Sequence, residues 1–141
     1  MKPIYGVNVS QLDFETEIKM AGVEKFLMFA GDYNEYDEQR DDEFTLDDLE
    51  NWLSGYEDGE FIGLSALLAK AIREEEGIPV DCVEDDDWNV YVGIVPALPW
   101  EMDKRMNGMT EKKFTNLLER YVGMITDTKL KIGMWESEEE E

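Results

Sequence analysis

The sequence predicts an α+β fold: a small, largely antiparallel sheet of about four strands with helices on one face, in the order β-α-α-β-β-α-β. Two patterns predict this class, since apolar residues recur at helical spacing in some segments and alternate or form short apolar runs in others. The chain has 141 residues, of which 43% are hydrophobic, so it can bury one core, and no repeat or linker divides it. We therefore expect one domain over residues 1–135, followed by a disordered acidic tail over residues 136–141.

The N-terminal third contains one predicted strand and two helical segments. Residues 4–9 alternate apolar with small or polar residues and predict the first strand. Residues 12–30 have mainly helical spacing that Gly22 interrupts, so either one broken helix or two short helices fit. Thr45 is a typical N-cap, because Asp48 lies three residues further on and an acidic residue suits the first turn of a helix. The apolar face of that helix consists of Leu46, Leu49, Trp52, Leu53 and Tyr56.

The rest of the chain predicts two longer helices and three strands. The clearest helix begins near Glu60 or Phe61 and ends at Gly77, which is typical of a left-handed cap. Strands are predicted over 78–83 and 88–95, joined by an acidic hairpin loop. A last strand is predicted over 129–135, with Leu130, Ile132 and Met134 on one face. The last helix is capped by Thr110, and its core-facing residues are Phe114, Leu117, Leu118, Tyr121, Val122 and Ile125.

Composition excludes several classes of function. There are 35 acidic and 13 basic residues, a formal net charge of −22, and no histidine, which excludes Ser-His-Asp or Cys-His catalysis and the usual Cys/His zinc sites. The single cysteine, Cys82, cannot form an internal disulfide, and its predicted strand assigns it to packing. The negative charge repels nucleic acids and anionic membranes. We expect a cytoplasmic protein, since neither a signal peptide nor an apolar stretch of about 20 residues is present.

Two acidic patterns suggest metal chemistry, and each has a simpler interpretation. Asp85, Asp87 and Asn89 match positions 1, 3 and 5 of an EF-hand loop, but the glycine and the final glutamate of that loop are missing, which favours a hairpin turn. The segment 17–19, Glu-Ile-Lys, has the form found in restriction-type nucleases, with Asp13 as an upstream acid. We expect no catalytic residue, no metal and no cofactor, and a Mg²⁺-dependent hydrolase is the weakest alternative.

The acid-rich block Asp32–Asp48, which overlaps the most acidic internal segment, residues 31–43, contains the candidate interaction surface. Its carboxylates are opposed only by Arg40. Duplex DNA carries one charge per ~1.7 Å of helix axis, so a folded surface of closely spaced carboxylates presents a similar field to a protein that grips phosphate. Tyrosines between the acids would add rigid contact area. The predicted surface consists of Asp32, Tyr33, Glu35, Tyr36, Asp37, Glu38, Asp41, Asp42 and Glu43. The alternative interpretation is an exposed acidic loop that serves solubility only.

The C-terminal half carries a pattern of short motifs. The segment Tyr91–Met102 contains Leu-Pro-Trp-Glu-Met and is followed by Met109-Thr110-Glu111, the helix 114–121, Thr126-Asp127-Thr128 and a closing strand. Together with the helix Gly63–Ile78, this segment resembles small uncharacterised proteins encoded by phages and prophages of Gram-positive bacteria. The resemblance implies a viral or mobile-element origin and a role in the cytoplasm of the host cell. It implies no activity and no catalytic residues.

These observations predict a non-enzymatic protein that acts by protein–protein contact. The leading hypothesis is a DNA-mimicking inhibitor of a host nucleic-acid-binding protein, so that the partner is a basic protein and neither nucleic acid nor a membrane binds directly. The second hypothesis is an accessory protein whose acidity serves solubility only and which self-associates as a homo-oligomer through an apolar face. The Mg²⁺-dependent hydrolase is the third.

Overall fold

The structure, a computed structural model, describes residues 2–9, 18–39, 45–58, 61–84, 90–94, 110–127 and 129–137. Helices and strands within these residues confirm the predicted α+β class. The helices are α1 (Met20–Ala30), α2 (Tyr33–Gln39), α3 (Leu46–Leu53), α4 (Leu64–Glu76) and α5 (Glu111–Ile125). The strands are β1 (Lys2–Asn8), β2 (Glu57–Asp58), β3 (Phe61–Ile62), β4 (Asp81–Glu84), β5 (Val90–Ile94) and β6 (Ile132–Ser137).

Four of these strands form one antiparallel sheet, which confirms the predicted sheet of about four strands. Their order across the sheet, β4-β5-β1-β6, was not predicted. β1 lies between β5 and β6, with Tyr5 opposite Ile94 on one side and Met134 on the other. Gly6 and Gly93 face each other across β1 and β5, where the two backbones approach closely. The N-terminal segment therefore occupies an inner position of the sheet, between strands from the C-terminal half.

Both faces of the sheet are buried. On one face Tyr5, Val7 and Val92 belong to the main core, and the helices cover this face: the ring of Tyr5 lies 6.1 Å from that of Phe114. Cys82 lies on the same face, and its Sγ donates a hydrogen bond to the carbonyl of Ser65 in α4 at 3.3 Å, in agreement with a packing role. The opposite face buries a separate cluster of Ile4, Val83 and Tyr91. The sheet is thus the centre of the fold, with α4 and α5 against one face.

The element order is richer than the predicted β-α-α-β-β-α-β. Between β1 and β4, the described residues contain four helices and a small hairpin, where the predicted order had two helices and the individual patterns indicated three helical segments. The hairpin of β2 and β3 replaces the predicted start of the helix near residue 60, and the amide of Gly63 donates to the carbonyl of Tyr56 at 2.9 Å. Gly63 has φ = 87°, so the chain turns there in a conformation that favours glycine, and α4 begins only at Leu64.

Gly22 does not interrupt α1. It lies inside the helix and is buried where α1 crosses α5, and a Cβ atom at this position would lie 1.7 Å from the carbonyl oxygen of Met124. The break in the apolar pattern therefore marks a close helix–helix contact and not a helix boundary. The sequence left open one broken helix or two short helices over residues 12–30, and residues 12–17 lie outside the described part of the chain.

The predicted helix caps are confirmed. The hydroxyl of Thr45 accepts a hydrogen bond from the amide of Asp48, whose carboxylate in turn accepts one from the amide of Thr45, so that both orphan donors are satisfied. Thr110 accepts a hydrogen bond from the amide of Lys113 at 3.2 Å, and Gly77 ends α4 with φ = 70°. The predicted core face of α5 is buried at every position: Phe114, Leu117, Leu118, Tyr121, Val122 and Ile125.

Strand boundaries differ from the predicted ones. The predicted strands 78–83 and 88–95 are observed as β4 and β5, with residues 78–80 outside the strand. The last strand was predicted over 129–135 and the tail from 136, but Glu136 pairs with Pro3 and Ser137 with Lys2. The first two residues of the predicted tail therefore belong to the sheet, because β1 begins early enough to pair with them. Residues 138–141 lie outside the described part of the chain.

A hydrogen bond between α5 and α4 makes stability sensitive to alkaline pH. Tyr121 is buried, and its hydroxyl donates to Glu76 Oε2 at 2.9 Å. Burial, and then the hydrogen bond to Glu76, raise the pKa of Tyr121 far above its ordinary value. A group whose pKa is raised in the folded state contributes its full stability below its ordinary pKa, and loses this contribution as the pH rises through the folded value.

We expect the free energy of unfolding to fall as the pH rises above ~10, the ordinary pKa of tyrosine, and to fall less steeply in Tyr121→Phe. At neutral pH the variant should lose about 1 kcal/mol, since one hydrogen bond is removed. Urea unfolding followed by circular dichroism at several pH values measures both effects. Parallel pH profiles of the two proteins would contradict the assignment to Tyr121.

Candidate interaction surface

The acidic segment begins where α1 ends. Gly31 adopts φ = 82°, and the amide of Asp32 donates to the carbonyl of Leu27 at 2.9 Å, which closes α1 with a left-handed cap. Asp32 then accepts a hydrogen bond from the amide of Tyr36 on its carbonyl at 3.3 Å, and the chain continues directly into α2. The first part of the segment is therefore a helix that leaves α1 at a sharp turn, and not an acidic loop.

The two tyrosines of α2 point into the molecule. Tyr36 is 0% exposed, and its hydroxyl donates to Glu24 Oε2 at 3.0 Å. Tyr33 is half-buried against the core, with its ring 5.8 Å from that of Tyr36. The prediction that Tyr36 lies on an interaction surface is wrong, because residues three apart share one face of a helix and this apolar face is the one that packs inward. Of the pair, only Tyr33 retains partial exposure.

Four aromatic rings hold the acidic helices in place. The rings of Tyr33, Tyr36, Trp52 and Tyr56 follow one another at centroid distances of 5.8, 5.3 and 5.8 Å, and the central pair, Tyr36 and Trp52, meets edge to face. Aromatic pairs of this geometry contribute about 0.5–1.5 kcal/mol each beyond their buried area. Since the first two rings belong to α2 and Trp52 belongs to α3, the series joins these two helices. Tyr56 extends the series to a residue three positions after the end of α3.

Asp32 is not an open surface carboxylate. Its Oδ2 atom accepts a hydrogen bond from the hydroxyl of Tyr56 at 2.6 Å and lies 2.9 Å from the ammonium nitrogen of Lys70 in α4. The side chains of Asp32 and Lys70 are 22% and 26% exposed, and the ammonium lies 6.0 Å from the centre of the Tyr56 ring. One predicted surface charge is therefore paired internally, by a residue 38 positions away in the sequence.

The remaining described carboxylates of the segment are exposed, namely Glu35, Asp37 and Glu38 on α2. Asp41, Asp42 and Glu43 belong to the predicted surface but lie outside the described residues. The structure adds exposed carboxylates from α3 and from the residue at the start of β2. Asp47 and Asp48 belong to the acid-rich block that the sequence shows, whereas Glu50 and Glu57 lie outside it. Seven exposed carboxylates together form the acidic surface: Glu35, Asp37, Glu38, Asp47, Asp48, Glu50 and Glu57.

The acidic composition of the sequence itself indicates that carboxylates after residue 43 belong to the same surface. Between residues 32 and 58 there are twelve acidic residues and one basic residue, Arg40, so the acidic segment continues through the helix that Thr45 caps. The residues predicted for the surface end at Glu43, although the acid-rich block of the sequence extends to Asp48, and Glu50 and Glu57 lie beyond both. Acidic residues in the first turn of α3 also stabilise the helix through its dipole. Helix stability alone therefore explains their position, and no binding partner is required for it.

A cavity of about 440 Å³ opens beside the acidic surface. It combines the internal ion pair with two aromatic rings and two carboxylates of the acidic surface. Its lining residues are Asp32, Glu35, Trp52, Gly55, Tyr56, Glu57 and Lys70. Within the described part of the chain, neither Glu35 nor Glu57 forms an ion pair or a side-chain hydrogen bond.

Most residues of the nuclease-like and EF-hand-like motifs lie outside the described residues. Lys19, the lysine of the nuclease-like motif, forms an ion pair with Asp127 at 2.6 Å, while Asp13 and Glu17 lie outside the described residues. Residues 85–89 of the EF-hand-like segment also lie outside them. Among the described residues, no group of three or more carboxylate or thiol side chains is placed to hold a metal ion.

Comparisons of the chain with protein-family models, curated proteins and solved structures gave no match. None of the helices within the described residues combines the length and apolar character needed to cross a membrane. The site combines exposed carboxylates on two helices, which are joined by the ring contact between Tyr36 and Trp52, with an aromatic-lined cavity.

Proposed function

We propose that the protein acts without catalysis, by protein–protein contact, and that its acidic surface binds a basic, nucleic-acid-binding protein in place of nucleic acid. The observation that carries the proposal is that exposed carboxylates of α2 and α3 are held together by the edge-to-face contact between Tyr36 and Trp52. A surface of one sign on a fixed framework loses little conformational entropy when it binds, which favours recognition over solubility alone.

The exposed carboxylates of α2 are closely spaced along the chain. An α-helix rises 1.5 Å per residue, so the three exposed carboxylates of α2 originate within about one helical turn. Closely spaced charges of one sign resemble a nucleic acid backbone to a protein that carries lysine and arginine at matching positions. Lys70, which lines the cavity, is already paired with Asp32, and within the described residues none of the carboxylates of the acidic surface forms an ion pair.

The resemblance of the C-terminal half to phage and prophage proteins supports a setting in which such binding is useful. A protein of viral or mobile-element origin in the cytoplasm of its host meets host proteins that bind or cut nucleic acid. An acidic surface that occupies their binding groove would inhibit them in competition with nucleic acid. This setting is part of the proposal, whereas the charge and geometry of the acidic surface support the binding of a basic partner.

The test compares two variants with the same change in net charge. The surface variant Asp37→Asn/Glu38→Gln/Glu50→Gln neutralises three carboxylates of the acidic surface, and the control Glu75→Gln/Glu84→Gln/Glu119→Gln neutralises three exposed carboxylates elsewhere. Host proteins that the wild-type protein captures at low salt are identified and purified, and their affinities are then measured by calorimetry. We expect the surface variant to bind about tenfold or more weakly and the control to bind within about twofold of wild type.

Duplex DNA should compete for the captured protein, and binding should be lost near ~0.5 M salt, where charges are screened within a few ångströms. Equal losses in both variants, or binding that duplex DNA does not displace, would overturn the mimic. Absence of any saturable partner would favour the accessory role, in which acidity serves solubility only. A discrete oligomer in light scattering would support self-association in that role.

A further inference from the structure

The cavity beside the acidic surface already contains one cation of the protein. The ammonium of Lys70 is held by Asp32 at 2.9 Å and lies 6.0 Å from the centre of the Tyr56 ring. A carboxylate together with an aromatic face is a favourable environment for an alkylammonium or guanidinium group. The position of Lys70 therefore indicates that the cavity suits a cationic group on an alkyl stem.

The charges of the cavity do not balance. Among the described residues, its lining includes three carboxylates, Asp32, Glu35 and Glu57, and one ammonium, that of Lys70. Because Lys70 and the hydroxyl of Tyr56 both engage the same oxygen of Asp32, this pair is satisfied internally. Glu35 and Glu57, which have no ion pair within the described residues, leave an excess of two negative charges at the cavity.

The aromatic wall supplies a second requirement. Trp52 is half-buried and lines the cavity, with its ring 5.8 Å from that of Tyr56. Tryptophan has the most favourable face for a cation, and its apolar surface also accommodates the alkyl stem of a long basic side chain. A volume of about 440 Å³ has room for one such side chain.

We infer that this cavity receives a lysine or arginine side chain of the basic partner, with its cationic group between Glu35 and Glu57 and its stem against Trp52. The inference rests on the proposed function, since the partner is the one that binds the acidic surface. It adds an anchor to that interface: a buried basic side chain gives register and specificity that diffuse attraction between surface charges does not.

The probes are Nα-acetyl-arginine amide and Nα-acetyl-lysine amide, which carry the side chain without a partner protein. Spermidine tests a free amine as the alternative source of the same chemistry. Binding is followed by NMR through the indole N–H of Trp52 in the full chain, at low salt. We expect a saturable shift with Kd of order 1 mM for at least one of the amides, and none for ammonium chloride at the same concentration, because ammonium has no stem to pack on Trp52.

Variants separate the cavity from general attraction. Glu35→Gln/Glu57→Gln removes the excess charge at exposed positions, so the fold should be retained, and we expect affinity for the amides to fall about five- to tenfold. The matched control Glu84→Gln/Glu119→Gln makes the same change in net charge away from the cavity and should leave affinity within about twofold. Equal loss in both variants, or a shift that does not saturate, would overturn the inference.

The two proposals fail separately. If the amides do not bind while Asp37→Asn/Glu38→Gln/Glu50→Gln still weakens binding of a basic protein about tenfold or more, the anchor is wrong and the proposed function stands. If spermidine binds tightly and neither amide does, the cavity takes a free amine and the side-chain anchor is also wrong. If the amides bind at the cavity as predicted but no basic protein is captured, the chemistry of the cavity holds and the proposed function fails.

Discussion

Gly22→Ala is expected to lower the free energy of unfolding by about 3 kcal/mol or more, although alanine is the better helix former. The new Cβ atom would lie 1.7 Å from the carbonyl oxygen of Met124 and 3.1 Å from a side-chain atom of Ile125. The first of these is a backbone atom of α5, so it cannot move away without displacing that helix. α1 and α5 would have to separate. Phe26 of α1 and Tyr121 of α5, whose rings lie 5.8 Å apart in the core, would then move apart.

Gly123→Ala is the matched control for this prediction. Gly123 lies in α5, is exposed, and has no atom within 4 Å of the position that a Cβ would take. Here only helix propensity acts, and alanine should stabilise the protein by about 0.5–1 kcal/mol. Thermal and urea unfolding of the two variants should therefore move in opposite directions. Destabilisation of similar size in both would show that the helix crossing at Gly22 is looser than described.

The second large effect is expected in the sheet. Alanine at either Gly6 or Gly93 should cost about 3 kcal/mol or more, because each new Cβ would lie 2.1 Å from a backbone carbonyl of the facing strand. These carbonyls belong to Val92 and Tyr5, which also supply side chains to the main core. Relief of the clash requires β1 and β5 to separate, and the contact between the N-terminal strand and the C-terminal half would be weakened.

Gly133→Ala tests whether this cost is specific to the close approach. Gly133 in β6 also faces Gly6 across an antiparallel pair, but a Cβ there meets no atom within 4 Å. We expect little loss, or a small gain, since alanine restricts the unfolded chain more than glycine does. The measurement compares the unfolding free energies of the wild type and the Gly6, Gly93 and Gly133 variants, and a loss confined to Gly6 and Gly93 would show that the cost comes from the close approach of β1 and β5. A loss at Gly133 as large as that at Gly6 would mean that glycine is required along the whole of this row.

Local patterns predicted much of the fold. Caps at Thr45, Thr110 and Gly77 were predicted correctly, because capping depends on residues within three or four positions. The core face of α5 was predicted at all six positions, since a 3.6-residue period is a local property. The hairpin of β2 and β3 was not predicted, because strands of two residues have no alternating pattern to detect.

The candidate surface was predicted less completely than the fold. The acidic segment and its start at Asp32 were visible in the sequence, and Glu35, Asp37 and Glu38 are exposed as predicted. Tyr36 was assigned to the surface but is fully buried. Its place was decided by Trp52 and Glu24, which lie 16 and 12 positions away and contact it only in the folded chain.

The sequence by itself determined the composition of this protein's surface: a net charge of −22, no histidine, and an acidic segment between helices whose faces and caps follow local rules. Tertiary structure alone decided which of these charges are available. Asp32 is paired by Lys70 from a different helix, and the pair and the neighbouring rings form the cavity next to Glu35 and Glu57. The physical reason is that charge and periodicity are carried by the residues themselves, whereas pairing, burial and close approach depend on distances that exist only after the chain has folded.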